Sequence, residues 1–363
     1  MNNFCHDEGI RFIAVNIRGV FSRVFVDFGD NFVVADRDGE ECKEVRIESA
    51  SFDGKRLACK CFSGQRHDLE SGDAIRFRSC PDVAHKITVT SPFEFAIDCE
   101  APPAIPPGDT ATQVKIPQTF HYKRYSEAKH GSLTFTECDD SKSESVPLIH
   151  AAFQLADKFE PRPWNEPDRA EFAKMLAGAC GEELCSAQKG AVDAYARTCA
   201  CEFQPLSAFV GGVVGQEVIK AISGKFTPIQ QWLYADMREV VPSGCEQEGA
   251  AAADTPMDNL ECCIGRSAAE KVRNAKLFMV GAGAIGCELI KNFALNGFAT
   301  GEPGSLVLTD PDLIEKSNLN RQFLFRTEDI RVIHKLLLFN SHLCSVYSSF
   351  SGNRNQSLLL RRM

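Results

Sequence analysis

Residue types able to do chemistry concentrate in one run, KLFMVGAGAIGCELIKNFALNGFATGEPGSLVLTDPDLIEKSNLNRQFLFR, from Lys276 to Arg326. Gly281-Ala282-Gly283-Ala284-Ile285-Gly286 is a G-x-G-x-x-G. Glycines at those places let the backbone turn sharply and let a phosphate approach with no Cβ in the way. A helix starting there aims its free N–H groups, and the positive end of its dipole, at that phosphate. Asp310 follows the next apolar run, where an acid can accept hydrogen bonds from ribose hydroxyls. That much describes an adenine nucleotide of any kind, and the first expectation is a nicotinamide or flavin enzyme. The segment Asp310-Pro311-Asp312 through Asn318-Leu319-Asn320-Arg321-Gln322 changes it. A dehydrogenase has no need of an arginine there. An enzyme handling ATP does, because a guanidinium grips β- and γ-phosphates with paired hydrogen bonds. A nearby carboxylate can hold Mg2+ on the same phosphates.

These groups need a strand, a glycine turn, a helix and a second strand to position them. Lys276–Val280 reads as a short buried strand, and Ser305–Thr309 as a second strand ending at Asp310. Between them Leu289, Ile290 and Phe293 are spaced for the apolar face of a helix. This βαβ context is what gives the glycine motif its meaning.

GAGAIGCELIKN and TDPDLIEKSNLNRQFLFR resemble the adenylation domain of the ubiquitin-activating enzymes almost letter for letter. The resemblance implies a Rossmann-like adenylation domain that binds ATP and Mg2+. It implies attack by the C-terminal carboxylate of ubiquitin on the α-phosphate, release of pyrophosphate, and transfer to a cysteine as a thioester. By that match Gly281, Gly283, Ala284 and Gly286 line the ATP site, Asp310 holds the ribose, and Asn318 and Arg321 contact phosphate. Asp312 lies near the Mg2+. The implied partners are ubiquitin or a ubiquitin-like modifier and, through domains outside this chain, a ubiquitin-conjugating enzyme. The implied location is cytoplasmic and nuclear. The same run and DNLECCIG lean toward the minor form of the family, which also activates another modifier.

With 363 residues, 44% hydrophobic and 25% charged, the chain should hold two or more compact units. A net charge of −9 argues against an electrostatic nucleic-acid binder. No unbroken apolar run of about 18 residues predicts a membrane helix, and MNNFCHDEGIRF lacks the basic and apolar regions of a signal peptide. Neither nucleic acid nor membrane is therefore expected as a partner. The 16 cysteines include two C-x-C pairs, Cys59 with Cys61 and Cys199 with Cys201, and no C-x-x-C. They read as reduced thiols without a metal.

Taken in order, Ile10–Val15 is a lone strand-like run. From Gly19 to about Asp98 the pattern is β: VFSRVFVDF and NFVVAD flank Gly29-Asp30, and Gly39 and Gly54 mark turns. Leu69–Phe77 reads as turn then strand, and KITVTSPFEFAID closes a small barrel-like domain. RGVFSRVFVDFGD, ESGD and VTSPFEFAI resemble the first catalytic-cysteine half-domain of the family. The family's reactive cysteine is not in that half-domain, so Cys42, Cys59, Cys61 and Cys80 have no assigned chemistry. Pro102–Pro117 reads as a connecting loop.

After Ser145 helical spacing takes over. Leu148, Ala152, Leu155 and Phe159 make one face, Phe172, Met175 and Leu176 another, with Pro161, Pro163 and Pro167 between them. Ala191–Thr198 makes a third helix, and Glu182-Glu183 reads as a solvated face. This is similar to the family's four-helix insertion. Gln204–Gly224 reads as a helix capped by Gly224, its Gly211, Gly212 and Gly215 permitting close packing on a neighbour. Pro228–Asp236 reads as a strand. GGVVGQEVIKAISGKFTPIQQWLYAD resembles the closing helix and strand of the family's inactive adenylation domain. Val241 to Pro256 reads as a linker, and Leu260–Asn274 as one helix leading to Lys276. Pro256-Met257-Asp258 stands where the family usually carries Arg-Tyr-Asp.

The expected fold class is thus α/β multidomain. Residues 1–18 and 204–240 belong to the inactive adenylation domain, 19–115 to the inserted β domain, and 116–203 to the helical bundle. Residues 241–257 are linker and 258–331 begin the active adenylation domain, truncated. Residues 332–363 have no counterpart in the pattern, and His334 stands about where the family places a phosphate-binding lysine, with Lys335 beside it. The resemblance puts the thioester cysteine outside this chain, so no catalytic residue is assigned and the chain alone is expected to be inactive. Two other readings stand beside this one. One is a catalytically dead module that binds ubiquitin or nucleotide. The other is a Rossmann NAD/FAD oxidoreductase, against which Arg321 and Asn318-Leu319-Asn320 speak.

Overall fold

The computed structural model describes residues 1–130, 133–157, 166–180, 184–241 and 258–331. The chain forms two compact units. One comprises Met1–Phe12, Asp27–Gly131 and Gln216–Ile229; the other comprises Ile13–Val26, Ser132–Gly215 and the chain from Gln230 onward.

A short helix, α1 (Asn2–Asp7), stands where the sequence signalled no element. Then come β1 (Phe12–Arg18) and β2 (Phe21–Asp27), and after the turn at Gly29 a short β3 (Phe32–Val34). The barrel of the first unit follows, from β4 (Glu44–Phe52), β5 (Arg56–Cys61), β6 (Ala74–Phe77), β7 (Cys80–Ser91), β8 (Glu94–Asp98) and β9 (Thr110–Val114). These close in the order β4-β5-β8-β7-β6-β9, with β9 pairing back on β4. Closure leaves no unpaired edge. Side chains alternate in and out along β5 and β9, the period of a pleated strand. Ile47, Leu57, Ile75, Phe77, Phe95 and Ile97 fill the interior.

Two sequence expectations change here. The stretch Pro102–Pro117, read as a loop, contains the closing strand; TATQV carries the alternation, but the prolines before it hid the signal. The β domain, placed from Gly19, forms its barrel only from Glu44, because Phe21–Asp27 pairs with a strand of the other unit's sheet instead. Cys59 and Cys61 point into the barrel, and burial pushes their thiols up to about 12 and about 11. They stay protonated and inert at neutral pH.

Beyond the barrel β10 (Gln118–Phe120) pairs antiparallel with β3, and α2 (Tyr125–Ala128) follows. Helix α1 is fastened by side chains. Asn2 Nδ2 donates to Asp27 Oδ2 at 2.8 Å, and Asn2 Oδ1 accepts from the Tyr125 N–H at 2.7 Å. His6 Nδ1 lies 3.0 Å from both Asp27 oxygens, and its Nε2 lies 3.3 Å from Asp30 Oδ1. Burial lowers the His6 pKa, but the bonds and charges of Asp27 and Asp30 outweigh it, and the net shift is upward from 6.5. A raised histidine stabilises fully below its ordinary value, and the contribution disappears as pH rises through the folded value. Hydrogen exchange of Asn2–Asp7 should therefore quicken as pH rises past neutrality, beyond the intrinsic base-catalysed rate. His6→Gln should remove that extra step; if it persists, His6 is not the anchor.

The second unit is built on a four-stranded sheet. Its later elements are β11 (Phe135–Glu137), α3 (Val146–Ala156), α4 (Glu166–Cys180), α5 (Ser186–Thr198) and β12 (Trp232–Asp236); α6 (Gln204–Ser223) belongs to it through Gly215 and to the first unit from Gln216. The sheet order is β1-β2-β12-β11. β12 runs antiparallel to β2, Trp232 opposite Phe25 and Asp236 opposite Phe21, and parallel to β11. All seven residues of β2 are buried, as a central strand requires. Tyr195 of α5 joins the helices to this sheet. Its ring stacks on Phe172 at 5.6 Å and meets Phe153 edge-on and Phe21 at a tilt, each at 5.4 Å.

Leu148, Ala152, Leu155, Phe172 and Leu176 are buried as their spacing predicts, but Met175 is 41% exposed. Pro167 lies in the first turn of α4, where a missing N–H costs nothing. Phe159, Pro161, Pro163 and Glu182-Glu183 lie outside the described residues. Gly224 ends α6 at φ +63°, its N–H bonded to the Lys220 carbonyl at 2.9 Å. Among the described residues Gly211, Gly212 and Gly215 are exposed, and a Cβ on any of them meets nothing within 4 Å, so the close packing expected of them is not seen there. Helix α6 is also long and apolar enough, by length and composition, to cross a membrane. Its apolar pattern is not unbroken, because Gln216, Glu217 and Lys220 interrupt it. The strand expected from Pro228 begins only at Trp232.

The helix expected over Leu260–Asn274 is two, α7 (Asp258–Ile264) and α8 (Arg266–Arg273). Gly265 breaks them with φ +80°, a conformation that suits glycine and few other residues. Residues 242–257, the expected linker with Pro256 and Met257, and residues 332–363, with His334 and Lys335, lie outside the described residues.

Candidate functional site

The glycine motif sits between β13 (Lys276–Val280) and α9 (Ala284–Leu295), and β14 (Ser305–Thr309) follows. Both strands fall where the sequence put them. They pair in parallel, Lys276 opposite Ser305 through Val280 opposite Thr309. A parallel pair needs a crossover, and α9 is that crossover. β13 is not buried throughout: Phe278 and Val280 are 60% and 71% exposed, while Leu277 and Met279 pack on the core. On α9 the buried face is Gly286, Cys287, Ile290 and Ala294. Ile290 is on the predicted face, but Leu289 is 42% exposed, one position round the helix.

The turn itself is tightly specified. Gly281 has φ +99°, and its N–H donates to the Thr309 carbonyl at 2.8 Å, tying the turn to the end of β14. Gly283 precedes the helix with no side-chain cap, so α9 presents N–H groups that no capping side chain satisfies. A Cβ on Gly281 or Gly283 would meet open space. A Cβ on Gly286 would stand 2.4 Å from the Gly281 carbonyl oxygen and 3.1 Å from its carbon. Gly286 is therefore what lets the helix close on the turn. Asp310 locks the same place from the other strand. Its Oδ2 accepts from the Ala282 N–H at 2.5 Å and its Oδ1 from the Asp312 N–H at 2.8 Å.

Past Asp310 the chain folds back on the same core, burying Ile314, Leu324 and Phe325 with Cys287 and Ile290. Asn318 is occupied locally: its Oδ1 accepts from the Glu315 N–H at 2.9 Å in a reciprocal cap. Arg321 is exposed, and one guanidinium nitrogen donates to the Ser317 carbonyl at 2.8 Å and to Asn320 Oδ1 at 3.2 Å. It lines an open cavity of about 360 Å³ with Glu288, Lys291, Leu319, Asn320 and Phe323. Lys291 pairs with Glu288 and stands 5.4 Å from the Phe323 ring centroid.

Asp310 and the glycine turn are thus brought together directly. Arg321 meets the middle of α9 instead, in a cavity whose lining includes neither Asp310 nor the glycines. Asp312 offers its backbone to Asp310 and leaves its side chain exposed. Lys291 and Glu288, the charged neighbours of Arg321, drew no notice in the sequence because a Glu and a Lys three apart read as an ordinary helix surface pair. An open approach, helix N–H groups without a side-chain cap and a fixed carboxylate fit a phosphate-bearing ligand with hydroxyls.

The ThiF family model matches residues 259–354, a span that opens in α7 and includes the whole glycine turn. The mouse ubiquitin-like modifier-activating enzyme 6 is 39% identical over 353 residues, covering 91% of this chain and 33% of that protein. The human ubiquitin-like modifier-activating enzyme 1 is 35% identical over 352 residues, again 91% of this chain and 33% of that protein. A crystal structure of E. coli MccB with MccA-N7isoASN is 31% identical over 23% of each chain, at a TM-score of 0.20. The chain spans about a third of the length of the curated relatives it matches. Over 91% of its length the chain is thus similar to the ubiquitin-like modifier-activating enzymes, and its glycine turn lies in the segment that matches the ThiF family.

Proposed function

We propose that this chain takes part in ATP-dependent activation of ubiquitin or a ubiquitin-like modifier, and that its glycine turn receives the phosphates of ATP. The observation that carries this is the wedge of Gly286 beneath the Gly281 carbonyl, with Asp310 bonded to Ala282. In this Rossmann-like reading the open backbone at Gly281, Gly283 and Ala284 and the start of α9 face the phosphates. Asp310, a carboxylate at the end of β14, accepts from ribose hydroxyls. Arg321 turns from its carbonyl partner to a phosphate oxygen, with Asn318 holding the segment in place. Mg2+ would neutralise phosphate charge, and Asp312 is the exposed carboxylate placed to hold it. The modifier's C-terminal carboxylate then attacks the α-phosphate with loss of pyrophosphate, and a conjugating enzyme receives the product downstream. Action in cytoplasm and nucleus accords with this reading.

Calorimetric titration of the chain tests the reading: ATP with Mg2+ should bind in preference to NAD(H), and the reverse order would make it an oxidoreductase. Arg321→Ala should weaken ATP about tenfold, the worth of one exposed charge-assisted contact. Its guanidinium supports only neighbouring backbone and Asn320, so thermal stability should not move. Unchanged ATP affinity would remove Arg321 from the site. These 363 residues alone should bind nucleotide without robust ATP–pyrophosphate exchange in the presence of ubiquitin, since β13 leaves Phe278 and Val280 uncovered. Robust exchange would refute that part.

A further inference from the structure

Arg321, proposed to meet a phosphate of ATP, lines a cavity that does not reach the glycines. Helix α9 connects the two places. Ala284, Glu288 and Lys291 stand at i, i+4 and i+7 of that helix and so share one face. Ala284 opens the helix at the glycine turn, and Lys291 lies two turns on, about 10 Å along the axis. Side chains on a helix lean toward its N-terminus, so the Lys291 stem comes back over the preceding turn, in the direction of Ala284. Its ion pair with Glu288, three residues earlier, follows that lean.

The cavity, about 360 Å³, has α9 on one side and Leu319, Asn320, Arg321 and Phe323 on the other. Lys291 joins the two walls: its ammonium pairs with Glu288 on α9 and stands 5.4 Å from the Phe323 ring centroid across from it. Arg321 donates through one nitrogen only, to the Ser317 carbonyl and Asn320 Oδ1. The rest of its guanidinium fork makes no hydrogen bond among the described residues. Two cations and one carboxylate are thus in the lining, a balance that suits an anion. A solvated pair at three-residue spacing is weak, so Lys291 can exchange Glu288 for a phosphate oxygen.

We infer that Lys291 is a second cation, beside Arg321, for a diphosphate group, and that this diphosphate is the terminal part of ATP lying along α9 from Ala284. The inference rests on the glycine turn receiving a nucleotide and extends it. The turn and Asp310 hold what AMP and ATP have in common, and the cavity reads the two further phosphates. A guanidinium and an ammonium on those phosphates make the site select a triphosphate over a monophosphate. Free pyrophosphate offers the same chemistry, and the measurements below separate the two sources. A surface pair that only braces the helix behaves differently, because loss of either partner then acts alike. On a phosphate the partners act with opposite sign, Lys291 attracting and Glu288 repelling.

The test titrates ATP, AMP and pyrophosphate calorimetrically into the intact chain, Lys291→Gln and Glu288→Gln, at one Mg2+ concentration and one ionic strength. Lys291→Gln should weaken ATP about tenfold, the worth of one charge-assisted contact, and leave AMP unchanged. Glu288→Gln should tighten ATP about threefold, with AMP again unchanged. The intact chain gives a check that needs no variant: ATP should bind at least about tenfold more tightly than AMP, and equal affinities sink the inference. ATP unchanged in Lys291→Gln, or ATP and AMP weakened alike, overturns it and leaves the glycine-turn reading standing. A shift of the same sign in both variants marks a brace and overturns it too. Pyrophosphate bound through Lys291 with neither nucleotide bound keeps the diphosphate but overturns its placement along α9 and the glycine-turn reading. An intact chain that takes up none of the three overturns both.

Discussion

Gly286→Ala should lower ATP affinity about 100-fold and lower the melting temperature as well. Two effects oppose each other at this position. Alanine is the better helix former, by about 0.5–1 kcal/mol inside a helix, and Gly286 lies in the first turn of α9. Against that, the new Cβ would stand 2.4 Å from the Gly281 carbonyl oxygen, a backbone atom fixed by the bond from its own N–H to Thr309. No side-chain rotation relieves such a contact, so helix and turn have to separate. Overpacking of this kind costs about 1–3 kcal/mol, which exceeds the propensity gain. A 100-fold loss corresponds to about 2.7 kcal/mol, the upper part of that range. Gly283→Ala separates the two roles. Its Cβ would enter open space, so folding should barely change while the methyl blocks phosphate approach and affinity falls. Calorimetric titration with ATP and thermal unfolding of both variants give the answer. A Gly286→Ala chain that melts higher and binds ATP as before would mean that the turn does not receive a phosphate.

The glycine turn was the most legible part of the chain because its signals agree. Apolar runs bound it on both sides, Gly281 and Gly286 each have a geometric reason, and Asp310 falls at a strand end. Sequence placed both strands to the residue there. It fared worse where a strand approaches through prolines. Thr110–Val114 alternates as plainly as Arg56–Cys61, yet the residues before it look like loop, and barrel closure was missed. Partner choice was not legible either. Phe21–Asp27 reads as β in any context, and only long-range pairing with Trp232–Asp236 removes it from the barrel. Leu260–Asn274 reads as one helix, but the left-handed conformation of Gly265 splits it. Arg321 stands out by type, but its setting does not follow from the sequence. Its neighbours Lys291 and Glu288 come from the far side of α9, and the cavity they share depends on the fold-back of Ile314 and Leu324.

Asp310→Ala should cost ATP about 100-fold and also erase the preference for a ribose over a deoxyribose. The carboxylate has two tasks that the geometry keeps apart. One lone pair on each oxygen is engaged by backbone, Oδ2 by Ala282 and Oδ1 by Asp312. A carboxylate has about four acceptor sites in all, more than these two bonds use. Truncation to alanine removes both tasks. The two backbone donors lose an ionised acceptor, worth about 1.5–3 kcal/mol for a bond to a charged group, discounted here because Asp310 is only partly buried and water can replace it. The turn then loosens even without ligand. The ribose contact adds a second loss that appears only with nucleotide. Comparing ATP with 2′-deoxy-ATP on both chains separates them. The wild-type protein should lose about tenfold on removal of the hydroxyl, and Asp310→Ala should lose little more, because the partner is already gone. A variant that still distinguishes the two nucleotides tenfold would show that another group holds the sugar. Asp310 would then serve only to brace the glycine turn, and the carboxylate that reads the ribose would have to be sought elsewhere around α9.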